Sequence, residues 1–212
     1  MLLIGMFDSP YVRRVAVSMQ LLGVAFEHRN WSIGKDFDQI RKYSPLGRVP
    51  ALVLDETEVL SESAMILDYL DDQAGPKRAL LPATGKARRD ALRMMAMATG
   101  AADKGRDQIY ERVFRPKEKR HEEWVNRLKV QMHGALAEIE RHCEQRGESQ
   151  WLVGDAMSQA DITATCAFTF LNDALPEASI AARYPRLAKL AAGCEALPPF
   201  KSTHVPFFTP SS

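Results

Sequence analysis

Within its first thirty or so residues the chain passes from strand to helix to strand, and few topologies accommodate that order. Leu2-Leu3-Ile4-Gly5-Met6 is apolar but far too short for a membrane span; it lacks a basic n-region and soon meets Asp8, Arg13 and Arg14, so 2–6 reads as a buried strand rather than a secretion signal. Ser9 is a preferred N-cap, and Pro10 suits the first helical position, where a missing N–H costs nothing. Tyr11, Val12, Val15, Ala16, Met19 and Leu22 then mark one helical face, with Gly23 as its stop. Residues 24–30 alternate loosely and read as a second strand. A strand–helix–strand of this length is a βαβ unit, so the two strands are expected to be parallel with a right-handed crossover. Ser9 thereby stands at the positive end of a helix dipole. Two readings fit it: a plain helix cap, or a hydroxyl placed to meet an anion or a thiol being asked to ionise.

The next stretch completes a small mixed sheet. A short helix is expected within 36–43, then loop chemistry in Ser44-Pro45-Leu46-Gly47-Arg48. Proline can begin a strand but not occupy its middle, so a third strand starts at Ala51. Asp55-Glu56 turns the chain, and 57–60 returns as a hairpin partner. Ser61-Glu62-Ser63 is expected to cap a helix that carries Ala64, Ile66, Leu67 and Leu70 and stops at Gly75-Pro76. Asp68, Asp71 and Asp72 read as its solvated face.

Composition changes across a linker at 76–85, and everything beyond is helical in pattern. Helices are expected over 86–115, 119–146, 162–175 and, last, 185–196. The third of these is apolar nearly all round and belongs at the centre of a bundle. Ser158 and Asp161 spell a capping box at its start. The tail, with Phe200, Phe207 and Phe208 among prolines 198, 199, 206 and 210, is expected to be irregular but packed. A net charge of +1 gives no case for nucleic acid or an anionic membrane surface. Three cysteines without CxxC spacing fit a reducing cytoplasm. The five histidines show no HExxH or paired spacing, so no metal site is expected, and there is no P-loop or GxGxxG.

Ser9-Pro10-Tyr11-Val12-Arg13-Arg14-Val15, Gly47-Arg48-Val49-Pro50-Ala51-Leu52, Glu62-Ser63 and an all-helical second half together resemble a glutathione S-transferase of the bacterial, serine-active-site cytosolic type. The resemblance covers essentially the whole chain. It implies an α/β plus all-α protein: a thioredoxin-like domain (β-α-β-α-β-β-α) over 1–75, and a C-terminal helical bundle domain over 86–212. It further implies glutathione as co-substrate, conjugation to a soft electrophile, and a cytoplasmic homodimer contacting through the 62–74 and 86–115 helices.

Carried over residue by residue, Ser9 would hydrogen-bond the glutathione sulfur and favour the thiolate. Val49-Pro50 would form a cis-proline turn whose backbone pairs with the cysteinyl part, and Arg48 would meet a tripeptide carboxylate. Ser63 would take the γ-glutamyl α-carboxylate and Glu62 its ammonium, with Lys35 reaching toward the glycyl carboxylate. Arg106, Tyr110 and Phe114, with Tyr11 and Phe207, would line the electrophile pocket. Ser-Pro stands where glutaredoxin-like relatives carry Cys-Pro, and no cysteine precedes residue 143. That excludes a mixed disulfide at this position, and Asp8-Ser9-Pro10-Tyr11 also departs from the Ser-Ser-Cys pattern of maleylacetoacetate isomerases. Dehalogenation, peroxide reduction and a non-catalytic binding role in the same fold are the alternatives.

Overall fold

A computed structural model describes residues 1–207; Phe208 and Pro210 lie outside the described residues. Strands β1 (Leu2–Ile4), β2 (Glu27–Arg29), β3 (Ala51–Val53) and β4 (Val59–Ser61) form one sheet in the order β2-β1-β3-β4. β1 and β2 are parallel, as the βαβ reading requires, and the other pairs are antiparallel. Strand alternation gives the sheet two buried faces. Leu3 and Leu52 point toward helices α1 (Pro10–Leu22) and α3 (Ser63–Ala74), joining Val12, Val15, Met19, Ile66, Leu67 and Leu70. Ile4 and Ala51 point the other way, against Ile40 of the short α2 (Phe37–Arg41). Each fully buried Leu or Ile contributes about 1.5–3 kcal/mol by leaving water, enough to hold three-residue strands in register.

Local signals ended these elements where expected. Gly23 sits in the left-handed region (φ 71) as the C-cap of α1. β2 begins only at Glu27, because Val24 is used to close α1, its N–H donating to Met19 C=O at 2.8 Å.

Two expectations need correction here. The start of α3 is not capped by a serine: Glu62 is its N-cap at φ 69, with no side-chain cap, and the Ser63 hydroxyl turns inward. Nor is Asp71 solvated. It is buried and accepts from Leu80 N–H (2.7 Å) and Leu81 N–H (3.2 Å), tying the connecting segment to α3.

Beyond that segment come α4 (Gly85–Val113), α5 (Glu122–Arg146), α6 (Gln159–Ala174), α7 (Ile180–Arg183), α8 (Pro185–Glu195) and α9 (Pro198–Lys201). The 119–146 helix is shorter than expected because His121 caps it, its Nδ1 accepting from Trp124 N–H at 3.1 Å. The helix at 185–195 is not the last, since Pro198 at a first helical position starts α9 within the tail. α6 is buried on nearly every side, against α4, α8 and α1. Its start carries the full capping box: Ser158 N–H and Oγ both donate to Asp161 Oδ2 at 2.8 Å. The other carboxylate oxygen accepts from Leu152 N–H at 2.7 Å.

α4 and α6 approach so closely at Gly105 that a methyl there would overlap Leu171 Cδ2, a side chain with no exposed surface. Gly105→Ala would gain up to about 1 kcal/mol of helix propensity. Overpacking in a closed core costs about 1–3 kcal/mol and wins. The expected result is a net loss of up to about 2 kcal/mol, read as a lower denaturant midpoint at unchanged m-value.

Candidate functional site

Helix α1 is the element every part of the site leans on. Pro10 has no N–H to offer, and Val12 N–H reaches Ser9 Oγ only at 3.5 Å. Tyr11 N–H is thus an orphan donor of the first turn, beside a half-buried Ser9 hydroxyl whose own proton is free to point outward. The preceding residue, Asp8, is half-buried, and that burial raises its carboxyl pKa despite the nearby Ser9 N–H. An N–H, an O–H and the positive end of a 13-residue helix converge here, which suits a sulfur carrying negative charge.

The second group leads into β3, the strand paired beside β1. The Val49–Pro50 peptide is cis, and Val49 sits outside the β3 ladder, which begins at Ala51. Arg48 Nη1 pairs with Glu62 Oε1 at 3.2 Å, both side chains about half exposed. The sequence reading gave Arg48 a tripeptide carboxylate and Glu62 the γ-glutamyl ammonium, and the structure has the two side chains meet. An exposed pair of this kind is worth about 0–1 kcal/mol, so a ligand's own charges can exchange for it. Glu62, a non-glycine residue at φ 69, holds backbone strain of about 1–3 kcal/mol at this position. Lys35 remains exposed on the turn before α2, where its N–H donates to Ser32 C=O at 3.1 Å.

Ser63 is where the sequence reading missed a partner. Its Oγ accepts from Arg14 Nη2 at 2.7 Å and from Nε at 3.1 Å, while Arg14 Nη1 reaches Thr163 Oγ1 at 3.3 Å. Arg14 is 3% exposed, and burial pushes it down to about 10. Its neighbour Arg13 is equally buried but forks onto Glu195 at 2.7 and 2.6 Å, fastening α1 to α8. Nothing local in the sequence marks these two arginines, whose partners lie far along the chain.

The third group is an aromatic wall. Tyr11 OH donates to Asp103 Oδ1 at 2.6 Å, and Arg106 Nη1 donates to the same oxygen at 2.9 Å. The Arg106 guanidinium lies over both the Tyr11 ring (5.9 Å) and the Tyr110 ring (5.8 Å). Tyr110 meets Phe114 edge-on at 5.1 Å, and Phe114 is 60% exposed. Tyr11, Arg106, Tyr110 and Phe114 therefore form one patch, joined by an aspartate that no motif marked. Burial raises the Tyr110 phenol; Arg106 and Arg48 pull it back, and Asp107 and Asp8 push it up. Through the Tyr11–Asp103 bond the polar half of α4 is tied to the first turn of α1. Burial, then the bond to Asp103, raises Tyr11 strongly, so its phenol stays protonated. Phe207 stands apart from this patch: it packs edge-on against Phe170 at 5.4 Å, beside a cavity of about 10 Å³ behind Pro10.

The chain's own thiols are poor nucleophiles. Burial pushes Cys143 and Cys166 up to about 12 and Cys194 to about 11. Any reactive thiolate at this site would come from the ligand. Among the described residues, no cluster of three or more His, Cys, Asp or Glu stands ready for a metal.

Comparison with known proteins agrees along the chain. The glutathione S-transferase N-terminal domain family matches residues 3–78, and the glutathione S-transferase C-terminal domain family matches 122–191. The chain is 27% identical over 172 residues to the uncharacterized GST-like protein YibF of Escherichia coli, covering 81% of this chain and 82% of that one. A glutathione S-transferase from Methylobacterium radiotolerans, solved with glutathione sulfonate, superposes with a TM-score of 0.90 at 30% identity, covering 100% of this chain and 97% of that one. A family member from Pseudomonas fluorescens, solved with bound glutathione, gives 0.84 at 30% identity, covering 97% and 99%.

Proposed function

This chain belongs to the glutathione S-transferase family, and from that premise we propose that it holds glutathione as a thiolate at Ser9 and adds it to a soft electrophile lying against the Tyr11–Arg106–Tyr110 wall. The observation that carries the reading is the Tyr11–Asp103–Arg106 bridge. It fastens the turn that begins with Ser9 to the aromatic half of α4, so a sulfur at Ser9 would face a pocket for an apolar or aromatic partner.

In this reading the γ-glutamyl end lies at Glu62 and Ser63, the cysteinyl main chain pairs with Val49 beside Pro50, and Arg48 and Lys35 meet the tripeptide's carboxylates. The thiol proton leaves to solvent. Ser9 is neither nucleophile nor base; its O–H stabilises the sulfur anion. Lowering a thiol pKa by about two units needs about 2.7 kcal/mol. A hydrogen bond to a charged group supplies about 1.5–3 kcal/mol, and a helix N-terminus adds about 0.3–1. With an aryl halide, the sulfur adds to the halogen-bearing ring carbon, the ring takes up the electron pair, and the carbon–halogen bond then breaks with its electron pair leaving as halide. The exposed Met65 on α3 and Leu92 on α4 support a second copy docking on those helices.

The test is glutathione consumption with a chromogenic aryl halide, before and after treating the protein with iodoacetamide at neutral pH. Turnover is expected, and alkylation is expected to leave the rate within about 20%, since thiols raised this far are almost wholly un-ionised at neutral pH. No turnover across a panel of electrophiles, despite retention on a glutathione column, would point to the non-catalytic alternative.

A further inference from the structure

The start of α8 is fastened to α5 by Glu140, whose carboxylate accepts from Arg186 N–H at 2.9 Å and Leu187 N–H at 2.8 Å. Between α8, the end of α5 and the 147–152 segment lies a cavity of about 300 Å³. That volume is at the lower end of the range of small-molecule sites. The cavity shares no lining residue with the Ser9 corner, with Arg48, Glu62 and Ser63, or with the aromatic wall on α4.

Its walls divide by chemistry. Trp151 and Leu190 supply apolar surface, while Arg146, Arg186 and Lys189 bring three positive charges against one carboxylate, Glu148. The protein compensates these cations poorly. Arg146 donates to Ser149 Oγ at 3.0 Å and to Gly154 C=O at 2.7 Å, both neutral, and its buried Nε has no partner among the described residues. Arg186 comes no nearer to Glu144 than 3.9 Å, with both side chains about half exposed, and a ligand's own charge can replace so weak a pairing. Lys189 makes no ion pair among the described residues.

Gly193 is an independent indication. It stands within α8 on the cavity wall, where a Cβ would meet nothing within 4 Å, so packing does not call for a glycine. Glycine within a helix is costly relative to alanine. Its effect here is to keep that wall open.

We propose that this cavity is a second binding site, separate from the Ser9 corner, for a small organic acid: its carboxylate lies among Arg146, Arg186 and Lys189, and its apolar body against Trp151 and Leu190. An inorganic anion would leave the indole and leucine surface uncovered. A neutral apolar molecule would leave the cations without a counter-charge.

The test follows Trp151 fluorescence in the full chain, with Trp31 and Trp124 replaced by phenylalanine, during titration with 4-phenylbutyrate and with its neutral amide. The acid is expected to bind saturably with a Kd on the order of 100 µM, at least about 10-fold tighter than the amide. Gly193→Leu puts a side chain into the cavity and is expected to weaken the acid at least about 10-fold without lowering the melting temperature. Lys189→Gln, at an exposed position, is expected to weaken the acid at least about 3-fold and to leave the amide within about 2-fold. Saturating glutathione is expected to leave the acid's Kd within about 2-fold, because the two sites share no residue. Equal affinity for acid and amide, unchanged binding in Gly193→Leu, displacement of the acid by glutathione, or no saturable binding would each overturn the proposal. If Gly193→Leu does not fold, Lys189→Gln decides, and acid binding unchanged in that variant overturns it.

Discussion

Ser9→Ala is expected to lower kcat about 100-fold at pH 6.5 while moving the KM for glutathione by no more than about 3-fold. The reasoning is differential. The tripeptide's ends are assigned to groups other than Ser9, so uniform binding survives the substitution. What disappears is the one side-chain donor placed for the sulfur, and with it most of the preference for thiolate over thiol. A shift of about two units upward in the bound thiol's pKa removes about 99% of the nucleophile at any pH below both values. The sign across pH follows: the deficit is largest below the wild type's bound-thiol pKa, narrows as pH rises from that value to the variant's, and is smallest above the variant's. Stopped-flow or steady-state rates across this range check it. A deficit that stays constant with pH would mean that Ser9 does something other than set the thiol's ionisation. Because the Val12 N–H contact is long at 3.5 Å, loss of the cap itself should cost stability by no more than about 1 kcal/mol.

Asp161→Ala is expected to be the most damaging stability change, at about 3–5 kcal/mol. The carboxylate is fully buried and serves three donors: Leu152 N–H, Ser158 N–H and Ser158 Oγ–H. Burial raises its carboxyl, and the hydrogen bonds oppose that. Truncation leaves at least two backbone donors with no partner in a closed interior, each costing about 1–3 kcal/mol. Ser158→Ala should cost only about 1 kcal/mol, since it removes a cap but orphans no backbone group except Ala160 N–H, itself bonded at 3.3 Å. For a chain of this size, the Asp161 variant should melt about 10 °C lower. Equal losses for the two variants in thermal or urea unfolding would show that the carboxylate does no more than the hydroxyl.

How much of this was legible beforehand depends on sequence distance. The capping box at Ser158 and Asp161 spans three residues, so its chemistry is complete in the local string, and the structure bears it out. The same holds for the Ser9-Pro10 helix start, the Gly23 stop, and the parallel pairing across a single crossover. Arg14 was opaque because its partners lie 49 and 149 residues away, and Arg13's glutamate lies 182 away. A helix pattern alone reads such a pair as a solvated stripe. Asp71 failed for the same reason, since the backbone donors it serves belong to a connecting segment that folds back on it. Ser61 and Ser63 have cap composition, but Ser63's hydroxyl is claimed by Arg14, a tertiary contact that outcompetes the local one. The aromatic patch was half legible. Spacing brought Arg106, Tyr110 and Phe114 to one helix face, while Asp103, which joins them to Tyr11, carried no motif.

The most direct test of the account is the ultraviolet thiolate absorbance of glutathione bound to the wild-type protein, titrated from about pH 5 to 9. The predicted result is a thiolate band already present near pH 7, with a midpoint about two units below that of free glutathione's thiol, and lost in Ser9→Ala. A band that appears only with the free thiol's midpoint, in both proteins alike, would contradict it.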